Sequence, residues 1–258
     1  MPRRKTPDKA LRSVAVPARA VQTNRNTKDV RAVTFIDGEP TFRPYPFALS
    51  LEPPVAQAVA DARVALARTP GRFDGPIAFS HGVSPEGAIL RRAGRYAEAL
   101  VVFEEPTLAY RLGFALGVQL FVERAERVTL FQLRGRSIGR DPLLWTASAS
   151  GGLAPGEEPL QAVLADAREE IGLGADDLED VRPTAICMND DSGSALVVYH
   201  ARLRPGSEPQ PDQVKVAELH WAACPADLGA QVSGDTIACW DAIERWRAEE
   251  PEPQKTPR

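Results

Sequence analysis

The stretch from Gly151 to Leu173 constrains the fold of this chain more than any other segment. It reads GGLAPGEEPLQAVLADAREEIGL, a glycine-rich loop followed by a run that is rich in carboxylates. Apolar residues recur in this run at intervals of three and four, which predicts a helix with one buried stripe. The stripe consists of Leu160, Val163, Leu164, Ala167 and Ile171. Gly172 follows at the position where such a helix is expected to end.

Three carboxylates lie beside the predicted stripe, within one helical turn of each other: Asp166, Glu169 and Glu170. Like charges at this spacing destabilise a helix by a few tenths of a kcal/mol per pair. A hard divalent cation would offset that repulsion, because Mg²⁺ prefers oxygen ligands and keeps sites for water and substrate phosphates. The alternative is an ordinary amphipathic helix whose acidic face is solvated.

The same stretch resembles a Nudix box, whose family pattern is G-x5-E-x7-R-E-U-x-E-E-x-G-U, with U an aliphatic residue. The positions that match at the family spacing are Gly151, Glu157, Glu169, Glu170, Gly172 and Leu173. Two positions depart from the pattern: Ala165 stands where the family has arginine, and Asp166 where it has glutamate. The box is therefore degenerate, since the arginine would orient a box glutamate and Asp166 is one methylene shorter than glutamate.

The resemblance implies an α+β fold, the Nudix α/β/α sandwich, preceded here by a small β-rich N-terminal region. It implies a hydrolase that uses Mg²⁺ or Mn²⁺ to cleave the diphosphate linkage of a nucleoside diphosphate derivative. By analogy, Asp166, Glu169 and Glu170 would be catalytic and would bind the metal together with Glu157, while Gly151 and Gly152 would contact substrate. The rival interpretation is a catalytically lapsed domain that serves as a nucleotide- or partner-binding module.

Two short phrases are similar to a subgroup of that family that includes a UDP-glucose and UDP-galactose pyrophosphatase. They are FDGP, at residues 73–76, and SASG, at residues 148–151. The similarity implies a UDP-sugar substrate that is cleaved to UMP and a sugar 1-phosphate.

A predicted hairpin upstream of the box brings arginine residues close to it. Strands are expected at 117–122 and 128–133, and the loop that follows contains Arg134, Arg136 and Arg140. Because arginine suits bidentate binding of phosphate, we expect Arg134 and Arg136 to contact the diphosphate. A solvated loop is the alternative.

Downstream of the box, strands are predicted at 183–188 and 195–204. The residues between them, Asn189 to Gly193, are typical of a turn. The same loop is also a candidate source of a further acidic group near the metal.

Composition divides the chain into four predicted regions. Residues 1–31 carry nine Lys or Arg against two Asp and no aromatic residue, which predicts a disordered basic tail. Residues 32–113 form a β-rich extension, in which 96–103 is either a strand or a helix. Residues 114–248 form the Nudix domain, and 249–258 a second disordered tail. Without interleaved aromatics for base stacking, nucleic-acid binding by the basic tail is not expected.

The resemblance implies a small-molecule partner, and the remaining features favour a soluble, cytoplasmic protein. Net charge is -4, hydrophobic residues make up 43% of the chain, and no apolar run approaches the roughly 20 residues that span a bilayer. The three cysteines, Cys187, Cys224 and Cys239, have no paired spacing, so they are expected to be reduced thiols. The oligomeric state is left open by the sequence.

Overall fold

The computed structural model describes residues 30–229 and 231–249, and within these ranges the chain forms eleven strands and five helices. The helices are α1 (Pro53–Arg68), α2 (Tyr96–Glu104), α3 (Ala109–Leu112), α4 (Pro159–Ile171) and α5 (Gly234–Glu249). The strands are β1 (Val30–Phe35), β2 (Phe42–Pro44), β3 (Pro76–Val83), β4 (Ile89–Arg95), β5 (Phe114–Arg124), β6 (Val128–Arg134), β7 (Trp145–Thr146), β8 (Ala149–Gly152), β9 (Leu178–Asn189), β10 (Ser194–Leu203) and β11 (Val216–Ala222).

All of these strands belong to one mixed sheet. Its main path runs β1-β9-β10-β5-β3-β4-β2, while β8 pairs with β5, and β6 pairs with β5, β7 and β11. Strands β5 and β10 are parallel, and β9 and β10 are antiparallel. A mixed sheet combined with helices confirms the predicted α+β class.

The two faces of the sheet are covered by different helices. Along β10, Val197 and Tyr199 pack into the core that α1, α2 and α4 share, whereas Leu196 and Val198 pack against α5. Successive side chains of a strand point to opposite faces, so this alternation places the sheet between two helical layers. The arrangement is the α/β/α sandwich that the resemblance implied.

The region before residue 114 continues the same sheet. Strand β1 pairs with β9, and β3 pairs with β5. Residues 96–103, for which a strand and a helix were alternatives, lie in helix α2. The carboxylate of Glu98 accepts the backbone N–H of Arg95 at 2.9 Å, which satisfies one of the free donors at the start of this helix.

The elements predicted around the box are confirmed. Strands β5 and β6 form the expected hairpin, in which Glu123 pairs with Thr129, and Arg124 pairs with Val128 beside the turn. Strands β9 and β10 enclose Asn189–Gly193, which is a turn in which the Gly193 N–H donates to the Asn189 carbonyl at 2.9 Å.

The two predicted tails lie outside the described residues, except that residues 30 and 31 begin β1 and residue 249 ends α5. None of the helices in the described part of the chain is long and apolar enough to cross a membrane.

Candidate functional site

The segment from Gly151 to Gly172 folds as the expected loop and helix. Glu157 shapes the loop, because its Oε2 accepts the backbone N–H of Ala154 at 2.8 Å. Helix α4 then ends at Gly172, whose φ of 68° lies in the left-handed region that favours glycine. The loop and helix together present the carboxylates of α4 to strand β8.

Glu170 is the most firmly held of these carboxylates. It is only 8% exposed, and its Oε2 accepts the Gln132 Nε2–H at 2.7 Å and the Ser150 backbone N–H at 3.0 Å. Burial raises the pKa of Glu170, and these two hydrogen bonds counteract part of the rise. Glu170 is therefore fixed between β6 and β8, with its orientation set by the sheet.

Asp166 lies directly over the first glycine of the loop. A methyl group added to the α-carbon of Gly151 would lie 2.2 Å from Asp166 Oδ2, so only glycine fits beneath this carboxylate. Burial, followed by the charges of Glu170 and Glu169, raises the pKa of Asp166 to about 7. Negative charge is thus concentrated at this point of the structure.

Glu169, the third of these carboxylates, binds a lysine. Lys215 Nζ lies 2.7 Å from Glu169 Oε2, and this hydrogen bond raises the pKa of Lys215. Ala165, where the box pattern has arginine, is exposed one turn before Glu169. Sequence reasoning missed Lys215, because it lies 46 residues from Glu169 and no local pattern connects the two.

The acidic residues are suited to an oxygen-preferring cation, although they are not gathered around one point. Within residues 30–229 and 231–249, no group of three or more His, Cys, Asp or Glu side chains is arranged to hold a metal ion. Glu169 is paired with Lys215, and Glu157 with the loop backbone. Asp166 and Glu170, however, repel each other when both are ionised, and a nearby cation would relieve this repulsion. Their carboxylate oxygens are also the ligands that Mg²⁺ and Mn²⁺ prefer.

A cleft of about 170 Å³ adjoins this acidic cluster. Ser150, Gly151 and Gly152 line it, and the first two also contact Glu170 and Asp166. Arg134 lies at the same junction, where its Nη1 donates to Ser150 Oγ at 3.1 Å. The cleft therefore meets the acidic cluster at strand β8.

The three arginines at the end of β6 and in the loop after it take different positions. Arg134 lines the cleft, whereas Arg136 is exposed and is not among the residues that line it. Arg140 is held by two contacts: its guanidinium lies 3.9 Å from the centre of the Phe103 ring and 2.7 Å from Asp235 Oδ2. The structure thus brings Arg134, but not Arg136, to the predicted site.

No protein-family model and no curated protein matches this chain. Solved structures similar to it include a protein of Deinococcus radiodurans, with a TM-score of 0.46 and 20% identity over 67% of this chain and 98% of that one. An Ap4A hydrolase of C. elegans has a TM-score of 0.42 and 16% identity over 52% of this chain and 98% of that one. The Nudix hydrolase RenU of M. smegmatis has a TM-score of 0.42 and 20% identity over 70% of this chain and 99% of that one. Similarities this distant identify neither the family nor the activity of this chain.

Proposed function

We propose that this chain is a metal-dependent hydrolase of the Nudix type, which cleaves the diphosphate linkage of a nucleoside diphosphate derivative. The observation that carries the proposal is the placement of buried Glu170 against Ser150 and of half-buried Asp166 against Gly151, where an acidic helix meets a cleft. The loop and helix that supply these groups are those of the Nudix-like stretch. Sequence pattern and geometry therefore support the same site.

Asp166, Glu169 and Glu170 are the groups that would hold Mg²⁺ or Mn²⁺, with Glu157 as a further acidic neighbour. When bound, such a cation would supply positive charge to the phosphates and would polarise an attacking water. Glu170 is already oriented for this role by Gln132 and Ser150, so little conformational freedom is lost on binding.

Arg134 is the residue best placed to contact the diphosphate. Its guanidinium lies at the junction of the cleft with the acidic cluster, where a phosphate beside Glu170 would be within its reach. Planar guanidinium groups bind phosphate oxygens in pairs and restrict their orientation. Arg136, on the exposed part of the same loop, remains a predicted phosphate contact. The proposed substrate is a UDP-sugar, cleaved to UMP and a sugar 1-phosphate.

One observation favours a second candidate, a binding module that has lost catalysis. Glu169 has a lysine as its partner, and a cation that uses Glu169 must compete with Lys215. In such a module the cleft would still bind a nucleotide, but no diphosphate linkage would be cleaved.

The test is a product assay over UDP-sugars, ADP-ribose, dinucleotides and nucleoside triphosphates, each with Mg²⁺, with Mn²⁺ and with EDTA. We expect metal-dependent release of a nucleoside monophosphate from a UDP-sugar, which EDTA abolishes. Turnover of a different nucleoside diphosphate derivative would retain the reaction and reject the UDP-sugar. Binding of nucleotides without turnover of any substrate would favour the module over the enzyme.

A further inference from the structure

Residues of three neighbouring strands, β5, β8 and β10, form the floor of the cleft. Ser194 of β10 pairs with Ala115 at one end, and Gln119 lies four residues further along β5 at the other. At ~3.3 Å per residue, the two ends are about 13 Å apart. Between them Gly117 pairs with Gly152, and the middle of the floor is apolar, because Leu196 Cδ2 and Ile77 Cδ1 would lie 3.2 and 3.3 Å from β-carbons placed on these two glycines.

Each end of this floor has a buried polar atom without a partner in the described structure. Gln119 Oε1 and Ser194 Oγ make no hydrogen bond there, although the residues are only 4% and 0% exposed. Leaving such an atom unsatisfied costs about 1–3 kcal/mol, so buried polar groups are nearly always paired. Two unsatisfied groups on the floor of one cleft therefore indicate a ligand that supplies the missing partners.

The region before residue 114 supplies a wall of the same cleft. Ile77 of β3 and the two aromatic residues of α2, Tyr96 and Phe103, line it. Arg140 holds this wall in place, because it stacks on Phe103 and is paired with Asp235 of α5. The cleft thus has this one apolar wall and polar groups at its ends, which suits a planar ring system with hydrogen-bonding edges better than a flexible chain.

The junction at β8 sets the direction in which a ligand would lie. Ser150 pairs with Gln119, so the Gln119 end adjoins Glu170 and Arg134, while the Ser194 end is remote from them. Phosphates at Ser150 would leave about 13 Å of floor, enough for a ribose followed by a base. We propose that the cleft binds the nucleoside half of the substrate, with Ser194 and Gln119 as specificity-determining residues.

This assignment rests on the proposed function, because the phosphates are placed by the site at Ser150. Ser194 is assigned to the edge of the base and Gln119 to the ribose or the base-proximal phosphate. The sugar or other group beyond the diphosphate then lies on the far side of the acidic cluster, outside the cleft.

Calorimetric titration of the full chain with UMP, CMP, AMP, GMP and glucose 1-phosphate, in the presence of Mn²⁺, tests the assignment. We expect at least one nucleoside monophosphate to bind, and Ser194→Ala and Gln119→Met each to weaken it about tenfold, the loss that one ordinary buried hydrogen bond predicts. Binding of glucose 1-phosphate should be the same in all three proteins. Monophosphate affinities that are unchanged in both variants would overturn the assignment, as would a loss confined to glucose 1-phosphate.

Thr184→Val is the matched control. Thr184 is also fully buried, but its hydroxyl donates to the Val198 carbonyl at 3.1 Å and does not line the cleft. We expect Thr184→Val to lower the melting temperature without changing nucleotide affinity, whereas Ser194→Ala should not lower it, since it removes an unsatisfied group. Hydrolysis is measured separately. Absence of turnover in the wild type overturns the proposed activity, whereas turnover with an unchanged base preference in both variants overturns only the role of the cleft.

Discussion

The α-carbon of Gly151 and the carboxylate of Asp166 are so close that a β-carbon at residue 151 would lie 2.2 Å from Asp166 Oδ2. Strand β8 and helix α4 can approach to this distance only because residue 151 has no side chain. The contact places Asp166 beside Glu170, where burial and the neighbouring carboxylates raise its pKa to about 7. The first glycine of the box-like stretch therefore has a steric role in assembling the acidic cluster.

Gly151→Ala should disrupt this cluster. The added methyl group must displace the Asp166 side chain or separate α4 from β8, so we expect Mn²⁺ affinity to fall about tenfold or more, with a lower melting temperature. Calorimetry and thermal unfolding measure the two effects. Gly174→Ala is the control, because its β-carbon would make only an ordinary contact, 3.7 Å from Asp177 Oδ2. Unchanged Mn²⁺ affinity in Gly151→Ala would contradict the steric role.

Lys215 should orient Glu169 in place of the arginine that the box pattern has at residue 165. The side chain of Glu169 is 63% exposed and that of Lys215 is 38% exposed, so solvent screens the pair, its contribution to stability is small and its effect should be on activity. We expect Lys215→Met to lower kcat/KM by roughly 10-fold, as loss of an outer-shell partner typically does, with little change in melting temperature.

Ala165→Arg tests whether Lys215 acts by orienting Glu169 or only by adding a positive charge to the site. From the sequence alone, the missing arginine predicts that Ala165→Arg raises activity. Since Lys215 already binds Glu169, we now expect little change from Ala165→Arg alone and a recovery of activity when it is combined with Lys215→Met. Steady-state kinetics of Lys215→Met, Ala165→Arg and the double variant measure this. If kcat/KM falls equally in Lys215→Met and in the double variant, an arginine at residue 165 cannot replace Lys215.

His81 should make the fold less stable in mild acid. Burial, and then the charge of Arg92, lowers its pKa from 6.5 to about 4. Above pH 6.5 the imidazole is neutral in both states, so it contributes no pH dependence. As the pH falls from 6.5 towards 4, the unfolded state takes up the proton first and stability is lost, by an amount on the order of 1 kcal/mol after solvent screening.

Urea unfolding at pH 7.5 and pH 4.5 measures this loss, with His81→Phe as the comparison. Phenylalanine can keep the stacking on Tyr45, whose ring centre lies 3.7 Å from that of His81, and it cannot titrate. The free energy of unfolding should therefore fall less between the two pH values in His81→Phe than in the wild type. An equal fall in both proteins would show that His81 does not carry the effect.

The box-like helix was predictable because its signals are local. The three- and four-residue spacing of apolar residues, the glycine at its end and the clustered carboxylates all lie within 151–173, and helix α4 follows them. Residues 96–103 were ambiguous for the opposite reason: helix α2 is buried at Ala97, Ala99, Val101 and Val102, so no clean apolar stripe distinguishes helix from strand.

The partners of the site were not predictable from local pattern. Gln132 reaches Glu170 from β6, Lys215 reaches Glu169 from the segment before β11, and Ser194 faces the cleft from β10. Each of these contacts depends on the order of strands in the sheet, which no spacing in the chain encodes. Arg134 and Arg136 are only two residues apart, yet Arg134, at the end of β6, lines the cleft and Arg136, in the loop that follows, is exposed.

Glu170→Gln tests the central claim most directly, because Glu170 is the buried carboxylate at the junction of acidic cluster and cleft. The amide keeps one oxygen to accept the Ser150 N–H, and replacing a carboxyl whose pKa is raised by burial should preserve the melting temperature. With Glu158→Gln, at the exposed residue before α4, as control, the measurement is Mn²⁺-dependent release of a nucleoside monophosphate from the nucleoside diphosphate derivative that the wild type cleaves. We predict a loss of about 100-fold or more in Glu170→Gln and none in Glu158→Gln. Wild-type rates of release from a folded Glu170→Gln protein would contradict the account.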